Sequence, residues 1–213
     1  MDCRTTEKRK MIVKENIIEP VAHIQLLAGQ EKHSDAGQII KDEYYIFEVY
    51  NQEHILIDTI QCGLGAAKDF LRLINHKGLP LFNPLKVNAN NQYHKNNNSE
   101  NNSKEKDVWD ATAKQLYNAI MWLIIIWDAK SGTLLFEFMN DVLKYKSYKP
   151  YPYKIKRVNS VIQKDKQNRT LTQMIDEFRY DNDICDSKCE FNLLTEIINR
   201  EVDENGKANI SYF

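Results

Sequence analysis

Long hydrophobic runs are missing from this 213-residue chain. The longest, residues 119–127 (AIMWLIIIW), is less than half the roughly 20 residues that a membrane-crossing helix needs, so it reads as a buried core helix. An excess of charge is missing too. Twenty-nine basic residues face thirty acidic ones, and the chain as a whole has no strong electrostatic pull toward nucleic acid or membrane. Cysteine is scarce: Cys3, Cys62, Cys185 and Cys189. Only the last two are close, and their three-residue gap is not a zinc-pair spacing. The first ten residues, MDCRTTEKRK, carry charge but no apolar core or small-residue cleavage site. They do not read as a secretory signal, so the expected compartment is the cytoplasm, with reduced thiols. Asn97-Asn98-Ser99 then has no glycosylation meaning.

Catalytic signatures are absent as well. No HExxH, GxSxG, kinase or Walker pattern occurs, and His23, His33, His54, His76 and His94 are scattered. Asp181-Asn182-Asp183 begins like a calcium loop, but Asp186 stands where glycine is required and Asn192 where the bidentate glutamate belongs. The sequence therefore assigns no catalytic residue, no metal site and no cofactor.

What is present is an ordinary globular composition, 42% apolar and 28% charged, long enough for one large domain or two small ones. Abundant Asn, Lys and Ile point to an AT-rich, bacterial coding genome. Residues 1–10 are expected to fray. Residues 11–18 mix periods and suit strand or helix. Residues 20–28 favour a helix, with Pro20 in its first turn, Val21, Ile24 and Leu27 as a stripe, and Gly29 as a stop. Residues 43–50 (EYYIFEVY) are aromatic and β-branched, which marks a strand. After the polar break at 51–54, residues 55–60 complete a β-hairpin, with Ile55 and Ile57 on one face.

Residues 61–84 then read as a strand end, a turn at Gly63-Leu64-Gly65, a helix from Ala66 to about Lys77, a left-handed stop at Gly78 and an extended exit. Ala67, Phe70, Leu71 and Ile74 lie on the helix's apolar side. Residues 86–107 hold eight asparagines and almost nothing to bury. Helices are predicted over 108–128, capped by Asp107, and over 134–145, as a helical hairpin. Two more are predicted over 171–180, capped by Thr170, and over 190–201, with Phe191, Leu194, Ile197 and Ile198 inward. Residues 208–213 suit a closing strand. The predicted fold is α+β: a β-hairpin-plus-helix unit over 1–86, an Asn-rich linker or loop over 87–107, and a mostly helical unit over 108–213.

Gly63 and Gly65 form a candidate anion-binding turn, because a strand-to-helix glycine loop presents backbone N–H groups and a partial positive charge. The third glycine of a dinucleotide fingerprint and the Lys-Ser/Thr of a P-loop are both missing, which favours tight turning and close packing instead. Cys62, just before this helix, is a candidate nucleophile with His54 and His76 as candidate bases, but neither histidine has a spacing that argues for adjacency, and the plainer reading is an ordinary buried thiol. The hairpin followed by C-G-L-G-A-A-K-D-F resembles the second half of treble-clef zinc modules over residues 43–75. In that resemblance Gly63 and Phe70 take the places of the helix-start glycine and the inward phenylalanine. Ala66 stands where the ligand cysteine belongs, and no CxxC pair precedes the hairpin, so the resemblance implies a module without its metal.

Charge is segregated downstream. Residues 144–170 hold nine basic residues and one acid, whereas 171–213 hold ten acids and four bases. Within KYKSYKPYPYKIKR the candidate nucleic-acid or partner-binding residues are Lys144, Lys146, Tyr148, Lys149, Tyr151, Tyr153, Lys154, Lys156 and Arg157, with Tyr145 beside them. Lysines can hold phosphates while tyrosines stack on unpaired bases. The plainer reading is that the basic and acidic segments satisfy each other or meet a partner subunit. The leading functional expectation is a non-enzymatic cytosolic interaction protein, a subunit of a bacterial multiprotein system whose partner is another protein. The alternatives are a nucleic-acid-binding accessory protein working through 144–157 and a thiol enzyme working through Cys62. No membrane partner is expected, and the sequence does not set the oligomeric state.

Overall fold

A computed structural model describes residues 1–27, 29–84, 108–130, 132–182, 189–200 and 209–213. The Asn-rich linker predicted over 87–107, with the proposed cap Asp107, lies outside the described residues, as does Cys185. The chain forms two compact units, one of residues 1–85 with 128–137, the other of residues 86–127 with 138–213.

The first unit runs α1 (Thr6–Glu15), β1 (Ile17–Gln25), β2 (Lys32–His33), β3 (Ile39–Ile40), β4 (Glu43–Tyr50), β5 (Leu56–Gly63) and α2 (Leu64–Leu73). The N-terminus is not frayed. Thr5 caps α1 by accepting from the Lys8 N–H, Cys3 is fully buried, and the buried Arg9 donates to the Cys3 carbonyl (2.7 Å) and to Asp69 on α2 (2.7 Å). Residues 20–28 are not a helix. β1 pairs antiparallel with β4, and a bulge between Pro20 and Ala22 inserts one extra residue. That insertion shifts the two-residue alternation by one, so the buried positions Ile18, Val21 and Ile24 fall three apart and imitate a helical stripe.

β4 lies between β1 and β5, and six of its eight residues are buried. Tyr45, Phe47 and Val49 face a core shared with Ile12, Ile18, Ile60, Cys62, Ala67 and Phe70. Full burial of Phe47 and Phe70 contributes roughly 1.5–3 kcal/mol each. The predicted hairpin is present, but β5 extends through Cys62 to Gly63. Its buried residues are Ile60 and Cys62, while Ile55 and Ile57 are exposed. α2 ends at Leu73, earlier than predicted, where Ile74 caps it and Asn75 takes the left-handed conformation (φ 53°). Gly78 (φ 91°) is left-handed three residues further on. The exit then runs beside β1 through an Ile24–Phe82 bridge.

The second unit contains α3 (Ala111–Ile126), most of α4 (Leu134–Lys144), α5 (Pro152–Ile162), α6 (Leu171–Asp181) and α7 (Asn192–Asn199). α3 is capped by Asp110, whose Oδ1 accepts from the Thr112 and Ala113 N–H groups. It is buried on nearly every side from Leu116 to Ile124, with α6 and α7 packed against it. α5 falls inside the stretch read only as basic and tyrosine-rich. Pro152 fits its first turn, and Ile155, Val158 and Ile162 give it a buried stripe. α6 has a full Thr170–Gln173 capping box. No closing strand forms over 209–213. Instead the Asn159 side chain on α5 holds this segment like a strand partner, donating to the Ile210 carbonyl (2.8 Å) and accepting from the Tyr212 N–H (2.8 Å). The fold is α+β, a sheet-and-helix unit in the N-terminal half and a mostly helical C-terminal half.

Candidate functional site

The basic tyrosine-rich stretch bends around a cavity of about 750 Å³ within the second unit. Three local features make it. α4 ends at Lys144; residues 145–147 turn, and Tyr148 donates its N–H to the Tyr145 carbonyl (2.9 Å); Lys149 and Pro150 then run extended into α5. Proline at 150 disfavours helix at Lys149, and proline at 152 disfavours it at Tyr151, so a short extended link separates α4 from α5. Tyr151 is the N-cap of α5 and makes no side-chain cap bond, so the positive end of the helix dipole opens at the cavity wall.

Tyr145, Tyr148, Lys149, Tyr151 and Lys154 line the cavity, with Asp141 among the remaining lining residues. The four tyrosines are well exposed: Tyr145 48%, Tyr148 70%, Tyr151 67% and Tyr153 54%. Tyr151 and Tyr153 stack nearly parallel, with centroids 6.0 Å apart at 19°. The Lys154 ammonium pairs with the Asp141 carboxylate and lies 5.4 Å from the Tyr145 ring centre. The hydrogen bond from Lys154 to Asp141 holds that ammonium above the usual lysine range. Lys149 has no ion-pair partner among the described residues.

The other candidates stand away from the cavity lining. Lys144 lies over Tyr145 (5.6 Å), Lys146 over Trp109 (5.8 Å) and Arg157 over Phe138 (4.8 Å). Lys156 and Tyr153 lie on α5 but do not line the cavity. The acidic segment meets the basic one at one described ion pair, where Glu177 joins Arg169 (2.6 Å). Asp141 escaped the sequence reading because it sits thirteen residues before Lys154, on a different helix. Pro150 was visible, and its meaning, a stop between two helices, was the signal available.

Neither glycine of the candidate anion turn needs to be glycine for conformational reasons. Gly63 is the N-cap of α2 in extended conformation (φ −70°), and an added Cβ would find its nearest neighbour at 3.7 Å. At Gly65 an added Cβ meets nothing within 4 Å. The tight-turn and close-packing roles expected for them are therefore corrected: strand β5 passes directly into α2. Both glycines line a second cavity of about 270 Å³ in the first unit, together with Ser34 and Lys41, and Lys41 is paired to Glu31 (2.7 Å).

Cys62 is fully buried, and burial pushes its thiol well above the ordinary range, outweighing any pull from the α2 dipole. Neither candidate base is hydrogen-bonded to it. His54 sits in the hairpin loop beside Tyr50 (ring centroids 6.4 Å apart), and the His76 Nδ1 accepts from the Gly78 N–H (2.9 Å). In the treble-clef comparison, the hairpin leads directly into α2, Phe70 packs inward, and Ala66 is buried. Among the described residues no group of three His, Cys, Asp or Glu could hold a metal ion, and no helix is long and apolar enough to cross a membrane.

The class these features define is an α+β protein with an open, aromatic-walled basic cavity. The chain belongs to the family described as Uncharacterised conserved protein UCP028583, whose model matches residues 2–205. No curated protein and no solved structure matches it.

Proposed function

We propose that this chain is a non-enzymatic interaction protein of the bacterial cytoplasm, and that its working surface is the tyrosine- and lysine-lined cavity of the second unit. One observation carries the reading. Tyr145, Tyr148 and Tyr151 line a cavity of about 750 Å³ while remaining about half exposed or more. Rings left in water around a concavity of the size that binds ligands are characteristic of a recognition surface. The Cys62 thiol is buried and hydrogen-bonded to neither candidate imidazole, which adds no support for the thiol-enzyme alternative. The ligand is anionic on charge grounds: residues 141–157 hold six cations against Asp141 alone, and that acid is already paired with Lys154.

The test is to titrate the isotopically labelled full chain with an oligonucleotide, a polyglutamate peptide and a proline-rich peptide, following amide chemical shifts. At least one anionic probe should perturb residues 145–154 before any other region. If none does, or if every shift maps outside that segment, the reading fails.

A further inference from the structure

We infer that the cavity takes single-stranded nucleic acid, with Tyr148 and Tyr151 as stacking platforms for unpaired bases and Lys149 as the principal phosphate contact. This rests on the proposed function and narrows its ligand. A basic surface alone would not choose between an acidic peptide and a polynucleotide. The exposed rings do. Carboxylates have no extended planar face to lay on a tyrosine, whereas every base has one, and base–aromatic stacking is indifferent to sequence.

The cations point the same way. Five of the six between positions 141 and 157 are lysines. A lysine is a hydrated point charge suited to phosphates along a backbone, whereas a carboxylate clamp favours the bidentate fork of arginine. Arg157, the one arginine, lies over the Phe138 ring (4.8 Å) and away from the cavity lining. Lys149 stands between Tyr148 and Tyr151, is exposed, and has no ion-pair partner among the described residues. The α5 N-terminus at Tyr151 adds a partial positive charge to the same wall. In a duplex the base faces are already stacked and unavailable to the tyrosines, so single strands are preferred.

The experiment is fluorescence anisotropy of a labelled oligothymidylate and a labelled oligouridylate with the full chain, from about 50 to 200 mM salt. A duplex of the same length and a labelled polyglutamate peptide serve as comparison probes. Affinity for the single strands should exceed that for the duplex and fall steeply with salt, by a logarithmic slope of roughly 0.7 per phosphate held. Tyr148→Ala and Tyr151→Ala should each weaken binding roughly 5- to 140-fold, while Tyr148→Phe keeps it. Lys149→Gln should reduce the salt slope by roughly 0.7. Both rings are exposed, so an unchanged thermal midpoint verifies that the alanine variants fold.

Single-strand binding that ignores both tyrosine substitutions overturns the inference, as does a preference for duplex. Polyglutamate binding sensitive to Tyr148→Ala, without oligonucleotide binding, overturns the nucleic-acid inference and leaves the interaction site standing. No binding of either probe overturns both.

Discussion

Asn159 holds the segment 209–213 with one side chain, and its removal measures how much that segment stabilises the helical unit. The side chain is 8% exposed and makes two backbone hydrogen bonds, to the Ile210 carbonyl and from the Tyr212 N–H, each 2.8 Å. A neutral hydrogen bond contributes about 1 kcal/mol, and a buried donor left without a partner costs about 1–3 kcal/mol. In Asn159→Ala the Ile210 carbonyl can turn to water, since Ile210 is largely exposed, while the half-buried Tyr212 N–H is left poorly satisfied. The expected loss is about 2–3 kcal/mol, or a fall of about 4–12 °C in the thermal midpoint.

Hydrogen exchange should localise the change. The Tyr212 amide and the Leu171 amide, which donates to the Tyr212 carbonyl (2.7 Å), should lose protection before the rest of α6. Asn159→Asp keeps the acceptor for Tyr212 but sets a carboxylate against the Ile210 carbonyl. It should be at least as destabilising at neutral pH and recover partly in acid, where the protonated carboxyl can donate. A midpoint lowered by less than about 1 °C in Asn159→Ala, with protection at 209–213 unchanged, would refute the pinning argument.

Three further substitutions test the fold. Gly65→Ala should stabilise the protein by about 0.5–1 kcal/mol, since Gly65 is helical and unobstructed, whereas Gly132→Ala should destabilise it. At Gly132 φ is +79° and the added Cβ would lie 2.7 Å from the Leu56 side chain, so chemical denaturation of the two variants should move the midpoint in opposite directions. The Arg169 guanidinium, donating to Asp165 at 2.9 and 3.1 Å, holds that buried carboxyl down to about 2. A lowered carboxyl pKa stabilises the folded state above the unfolded value near 4, and that contribution disappears as pH falls toward about 2. Asp165→Asn should therefore cost about 2–3 kcal/mol at pH 7, with the gap from the native protein closing in acid, as measured by urea denaturation across pH.

By itself the sequence determined the elements whose signals are local. The strand at 43–50 follows from side-chain type, the α6 start from Thr170, and α3 from an apolar periodicity that no neighbour had to supply. The stretch 144–157 was legible as basic and aromatic for the same reason, since composition needs no partner.

Tertiary structure decided whatever depended on pairing across distance. β1 became a strand because β4 offered it hydrogen bonds, and the bulge near Pro20 disguised its alternation as a helical stripe. The final segment looked like a strand and was held by an asparagine side chain more than fifty residues earlier. Gly63, Gly65 and Cys62 looked like a site because they share a helix start. Burial of the sulfur and the open space at the glycines are properties of the packed unit, and no spacing encodes them. Asp141 joined Lys154 only because α4 and α5 turn back around the cavity.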